Sequence, residues 1–160
     1  PAVLPYDSWR RVLAKGDPVL DMHIPGGGGM SPEAARSSLQ SGIEFFRRTF
    51  PDDAPAAIVC KSWMFSPQLE EALPPEANLV RLLREVYLYP NPGLDQNLWF
   101  VFLQDRLDPA TAPRDTSLQR ALLAFLGGGQ TWRMGNMLML ADDVAHFGEQ
   151  IYRKQFPFSF

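Results

Sequence analysis

Four consecutive glycines, Gly26 to Gly29, stand between an alternating segment and a well-marked helix start. Such a run offers the folded chain no side chains to pack and enlarges the unfolded ensemble. It is tolerated where the loop conformation is special, or where something approaches the backbone closely. In Val19 to Ile24, Leu20, Met22 and Ile24 point one way and Val19, Asp21 and His23 the other. That is the period of a strand with one apolar and one polar face. After the glycines, Ser31 can cap a helix, Pro32 suits its first position and Glu33 lies at the positive end of its dipole. A strand, a glycine turn and a helix in this order restrict the chain to folds in which helices pack against a sheet.

The remaining pattern extends that unit. Ala35, Leu39, Gly42, Ile43, Phe46 and Phe50 recur at helical spacing and predict one buried stripe, which Pro51 ends. The nearly continuous apolar run Ala56 to Phe65 predicts a strand buried on both faces. Two short helical pieces follow, over 67–72 and 76–83, split by Pro74 and Pro75. The stretches 85–89 and 98–103 read as strands joined by a turn-rich connection, which suggests an antiparallel hairpin with Tyr87, Tyr89, Trp99, Phe100 and Phe102 in its core. Thr116 and Gln119 have capping-box spacing ahead of a helical stripe, Leu118, Ala121, Leu122, Phe125 and Leu126, which Gly127 to Gly129 stop. Residues 131–140 read as a strand with a bulge at Gly135. Asp142 or Asp143 caps a last helix with Val144, Phe147, Gly148 and Ile151 inward. A short helix is also expected over 7–16. Together these elements predict a three-layer α/β (α+β) domain, a mixed central sheet with helices on both faces.

Composition narrows the class. The chain has 160 residues, enough for one domain with a real core. A net charge of −3 gives no electrostatic footprint for nucleic acid. No apolar run reaches the length of a membrane span. Cys60 is the only cysteine, so neither an intrachain disulfide nor a cysteine-based zinc site is available. A cytoplasmic location is the expectation. The abrupt start, without an initiator methionine or a signal layout, suggests one domain, residues 1–160, cut from a longer protein.

Strand, glycine turn and helix start together form an anion-friendly corner, because first-turn N–H groups point outward and the dipole favours negative charge. A nucleotide or the pyrophosphate of coenzyme A is the natural cargo. A flexible surface connection is the competing reading. The corner is not a P-loop, since Met30 and Ser31 stand where Lys and Ser/Thr are needed, and it lacks the G-x-G-x-x-G spacing of a dinucleotide site.

The strings "VLDMHIPGGGGMSPEAARSSLQSGIEFF", "VCKSWMFSPQLEEALPPEANLVRLLREVYLYP" and "DTSLQRALLAFLGGG", with the closing glycine-containing strand, resemble the C-terminal domain of a bacterial GNAT-like acyltransferase family over about residues 17–140. The resemblance implies acyl transfer from an acyl-CoA, acetyl-CoA or another, to a small-molecule or peptide amine. It also implies an N-terminal domain in the same protein. In that fold the CoA pyrophosphate sits on backbone amides between a central strand and the next helix, and the strand splays from its neighbour to admit pantetheine. Carried over, residues 19–24 are the central strand, and Ile24, Pro25, Gly26, Gly27, Gly28, Gly29, Met30 and Ser31 hold the cofactor. Residues 56–63 are the neighbouring strand and 85–103 the final hairpin. The loop lacks the Arg or Gln usual in the family, and the helix after the splayed strand lacks the usual Tyr. A second register makes 98–104 the central strand and places Arg106 and Arg114 in the phosphate loop. A non-catalytic docking domain and a nucleotide-sensing module are the alternative functions.

Candidate reacting groups follow. His23 can act as general base, with Asp21 on the same face to orient it; both can equally be solvated surface groups. Ser62 can protonate a departing thiolate and Trp63 can wall the acyl pocket, unless both simply pack a strand end. Cys60 reads as a small buried hydrophobe rather than a nucleophile. Asp142 and Asp143 stand four and three residues before His146, a spacing that serves a metal only with a remote ligand. They read as helix-capping groups, and no metal is expected.

Overall fold

A computed structural model describes residues 5–25, 30–91 and 98–154. Its centre is a four-stranded mixed sheet in the order β1 (Val19–Asp21), β2 (Ala57–Ser62), β4 (Gly135–Leu140), β3 (Tyr87–Pro90). β1 runs parallel to β2, with Val19 opposite Ala57 and Asp21 opposite Val59. β4 is antiparallel to both β2 and β3. The alternation predicted for the first strand is present: Leu20, Met22 and Ile24 pack on the core while Val19, Asp21 and His23 are exposed.

The helix after the glycines, α1 (Pro32–Thr49), begins as its sequence dictates. Ser31 Oγ accepts the Ala34 N–H at 3.1 Å and Pro32 occupies the first turn. Leu39 and Ile43 are buried, Ala35 and Phe46 half-buried, and Phe50 is left exposed. The short α2 (Leu69–Ala72) and α3 (Asn78–Leu83) follow β2, and α3 packs on α1. Ile58, Cys60, Met137 and Met139 share one sheet face with Leu20 and Leu88, and all join the core. On the opposite face Tyr152, from α6 (Ile151–Lys154), lies tilted against Tyr87, ring centres 6.3 Å apart. Its hydroxyl accepts the Leu140 N–H at 2.8 Å and donates to Asp143 at 2.7 Å. Burial, then the bond to Asp143, raises the Tyr152 pKa.

Four local expectations are corrected. Residues 7–16 form no helix; a single turn places Ser8 and Trp9 N–H on the Pro5 carbonyl. Tyr6, Trp9 and Val12 are exposed and only Leu13 and Ala14 are half-buried, so the segment buries too little apolar surface to support a helix too short to stand alone. Residues 98–103 are no strand: α4 spans Trp99–Phe102, with Leu98 and Phe102, four apart, buried. A short apolar run does not separate the two forms by pattern. The partner of β3 is therefore β4 rather than a hairpin neighbour, and Tyr87, Tyr89, Trp99 and Phe100 are exposed. Gly135 makes no bulge, since it pairs in register with both Ser62 and Pro90. Glycine is needed there because a Cβ would stand 1.7 Å from the Phe65 carbonyl oxygen. Finally, the last helix is broken: Asp143–His146 form a 3-10 turn, and Gly148 at φ +108° and Gln150 at φ 54° separate it from α6.

α5 (Ser117–Gly127) carries the complete capping box, with Thr116 Oγ1 accepting the Gln119 N–H and the Gln119 side chain accepting the Thr116 N–H, both at 3.1 Å. Gln119 also donates to the Val101 carbonyl at 3.0 Å, tying α5 to α4. Among the described residues no helix is long and apolar enough to cross a membrane.

Candidate active site

The two parallel strands part company at one point. The Met22 N–H reaches the Val59 carbonyl at 2.8 Å, and among the described residues no main-chain bond joins the strands beyond it. β2 continues through Cys60, Lys61 and Ser62, paired only with β4. Main-chain groups two residues apart on a strand aim at the same side. Val59 addresses β1, so the Lys61 N–H and carbonyl also face the β1 side, where His23 and Ile24 no longer pair.

A cavity of about 790 Å³ opens at this divergence. Its walls come from Asp21 to Pro25 and Met30 on one side and from Cys60 to Met64 on the other. Leu73 and Ala77, Asn78 and Leu79 at the start of α3, Phe100 of α4, and Ser117 and Leu118 of α5 complete it. Asp21, His23, Ile24, Pro25, Met30, Ser62 and Trp63 thus converge on one cavity, although they come from two separate segments. Ser31 lies one residue beyond its wall, at the α1 N-cap. Gly26 to Gly29 lie outside the described residues. Phe100, Leu79 and Leu118 were not anticipated from the sequence. They reach the cavity only through tertiary contacts, and no local signal marks them.

The reacting groups differ in how firmly they are held. The His23 side chain is 91% exposed, and its Nε2 lies 3.6 Å from Asp21 Oδ2, an ion-pair distance too long for a hydrogen bond. Ser62 is half-buried and accepts the Met64 N–H at 3.3 Å, which starts the 3-10 turn Trp63–Phe65 and leaves its hydroxyl proton free to be donated. Trp63 lines the cavity yet is buried, with 9% of its surface accessible, so it is a wall anchored in the core rather than a mobile lid. Burial, aided by the Asp21 charge, pushes the Cys60 thiol up to about 11. That keeps it protonated and unreactive at neutral pH.

The start of α1 is more self-contained than its sequence suggests. Pro32 has no N–H, and the Ala34 N–H is taken by Ser31. Its own main-chain N–H, the Ser31 hydroxyl and nearby Arg81 hold the Glu33 carboxyl below the usual carboxylate range. Few first-turn donors remain for an external anion. Elsewhere, among the described residues no group of three or more His, Cys, Asp or Glu side chains could hold a metal ion. Arg153 and Arg84 both pair with Glu70, and Arg47 with Asp142 at 2.6 Å, away from the cavity walls.

A mixed sheet whose parallel strands separate over a ligand-sized cavity, just ahead of a capped helix, defines a GNAT-type acyltransferase fold. The family model described as the GNAT-like C-terminal domain matches residues 5–139, and the chain belongs to that family. No curated protein matches. Among solved structures, the chain is similar to an acyltransferase variant in complex with octanoyl-CoA, at 32% identity and a TM-score of 0.70 over 78% of this chain and 41% of the other. An acyltransferase bound to CoA and 10C-teicoplanin matches at 32% identity and a TM-score of 0.69, covering 79% of this chain and 42% of that one. Another, with decanoyl-CoA and teicoplanin, matches at 32% identity and 0.70, again over 79% and 42%. The chain therefore spans about two fifths of the length of these acyltransferases.

Proposed function

We propose that this domain binds an acyl-CoA in the cavity between β1 and β2 and takes part in acyl transfer to an amine. The observation that carries the reading is the loss of β1–β2 pairing beyond Met22 beside a cavity of about 790 Å³. Pantetheine would lie in the slot, its amide groups meeting the main-chain groups of Lys61 that face it. The segment Ile24 to Ser31, with Gly26 to Gly29 in the middle, would receive the pyrophosphate. Because the α1 start is largely self-capped, the amides of that segment and the Lys61 ammonium carry more of this task than the helix end.

The reaction is a direct displacement. The neutral amine attacks the thioester carbon, the C–S bond breaks, an amide forms, and the CoA thiolate leaves. His23, or water, takes the proton of the attacking amine, and Asp21 holds the resulting imidazolium. The Ser62 hydroxyl relays a proton to the departing sulfur and takes one back from the His23 imidazolium through water, so the proton lost by the amine ends on the CoA thiol and both side chains are restored. Main-chain donors along the slot stabilise the oxyanion. Trp63 walls the acyl group. The acceptor is a small-molecule or peptide amine, an N-terminal domain of the same protein completes its site, and the protein works in the cytoplasm.

A second reading, a docking domain without turnover, is favoured by exposed Tyr87, Tyr89, Trp99 and Phe100. Calorimetry and a thiol-release assay on the full-length protein separate the two. Binding of acetyl-CoA with competition by ADP, together with CoA release in the presence of pooled amines, supports the transferase. Absence of both removes it. ATP binding without CoA binding points to nucleotide sensing instead.

A further inference from the structure

One side chain ties together two walls of the cavity. Gln119 Oε1 accepts the Asp115 N–H at 2.9 Å and the Thr116 N–H at 3.1 Å, which completes the cap of α5. Two N–H donors fix that atom as the amide oxygen. The amide nitrogen is therefore free to donate, and it reaches the Val101 carbonyl at 3.0 Å. That carbonyl belongs to α4, where the last main-chain acceptors have no partner within the helix. α5 contributes Ser117 and Leu118 to the cavity, and α4 contributes Phe100. A helix of four residues does not hold itself together. Buried Leu98 and Phe102 anchor α4 in the core, and the bond from Gln119 adds a directional tie.

Phe100 is the unusual member of that wall. It lines the cavity and is 65% exposed, with Trp99 edge-on against it at a ring-centre distance of 5.3 Å. A large ring left facing water beside a cavity gains when a ligand covers it. We infer that Gln119 is a positioning residue for the ligand site: it holds α4 so that Phe100 lies against whatever fills the cavity. This rests on the acyl-CoA reading of that cavity. The capping box alone does not ask for glutamine. Glutamate serves the same helix position, and its charge favours a helix start. Only the amide can cap α5 with its oxygen and hold α4 with its nitrogen. A carboxylate would set a second acceptor against the Val101 carbonyl.

The test is calorimetric titration of the full-length protein with CoA, alongside thermal melts, on Gln119→Glu, Phe100→Ala, the double variant and Thr116→Ala. Gln119→Glu keeps the cap and breaks the tie, so CoA affinity should fall about fivefold to tenfold, roughly what half-burying an aromatic ring contributes. Phe100→Ala should lose a similar factor. The double variant should fall no further than Phe100→Ala alone, since the tie acts through the ring. Thr116→Ala weakens the cap and keeps the tie, so it should melt lower yet bind CoA as the wild type does. Should Gln119→Glu fail to fold, Gln119→Met removes the tie without adding a charge and should give the same fall. Undiminished CoA affinity in folded Gln119→Glu, Gln119→Met or Phe100→Ala would overturn the assignment and leave the acyl-CoA reading standing. So would losses that add in the double variant, or an equal loss in Thr116→Ala, where the cap rather than the tie would set affinity. Absence of CoA binding by the wild-type protein would overturn both.

Discussion

Replacing Gly135 by alanine adds one methyl group and should be among the most damaging single changes in the domain. The new Cβ would stand 1.7 Å from the Phe65 carbonyl oxygen, 2.2 Å from its carbon and 2.8 Å from the Ser66 nitrogen. All three are main-chain atoms, so no rotamer relieves the clash. Gly135 is paired with Ser62 on one side and Pro90 on the other, so β4 cannot retreat without losing bonds to both neighbours. The Phe65–Ser66 turn must move instead, and Phe65 is fully buried. Overpacking a well-filled core costs about 1–3 kcal/mol, and more where backbone must shift. With about 3 kcal/mol or more lost, a domain of 160 residues should melt roughly 6–12 °C lower. Because the displaced turn carries Trp63 and Met64, CoA affinity should fall in the protein that remains folded. Thermal melts and calorimetry on Gly135→Ala measure both. A melting point within 2 °C of wild type, roughly what a surface substitution causes, would refute the claim that this strand is locked against the turn.

Cys60, held near 11, should carry about a hundredfold less thiolate at neutral pH than an ordinary cysteine titrating near 9.0. Alkylation at pH 7.5 should therefore be negligible until the chain unfolds, and Cys60→Ala should retain CoA binding. Since the folded pKa is raised, its contribution to stability is complete below about pH 9 and fades as pH rises through 11, which urea melts across that range would register. Thr116→Ala removes the capping box of α5 and should cost about 1 kcal/mol, a fall of about 2–4 °C in melting temperature. Glu85 is buried, and its carboxylate accepts the Gly148 N–H at 2.7 Å and the Gln150 N–H at 3.3 Å, so Glu85→Leu should cost about 2–3 kcal/mol by leaving both amides unpaired. Denaturant titration of that variant, with hydrogen exchange at Gly148, checks both effects.

Much of this architecture is readable before any coordinates. Met22 beside Asp21 and His23, Ser31 ahead of Pro32, and Thr116 three residues before Gln119 are local signals, and each appears in the structure as its chemistry requires. The errors fall where local pattern and tertiary context disagree. Residues 98–103 are apolar enough for either form, and burial of Leu98 with Phe102 decides for a helix turn. Trp9 and Val12 have helical spacing but stay exposed, so burial adds little and the helix is not made. The adjacency of β3 and β4 links residues nearly fifty positions apart, and nothing in either segment announces it. The two halves of the candidate site were each visible as a motif. Their meeting at one cavity is a property of the parallel β1–β2 pair.

The proposed CoA site is a main-chain slot between two diverging strands. Amide NMR of the protein during a CoA titration tests it most directly. The Lys61 N–H should shift and its hydrogen exchange should slow by at least tenfold as pantetheine fills the slot, together with changes at His23 and Ile24. If CoA binds while the amides of 22–24 and 61–63 keep their positions and exchange rates, the ligand lies elsewhere and the site proposed between β1 and β2 is wrong.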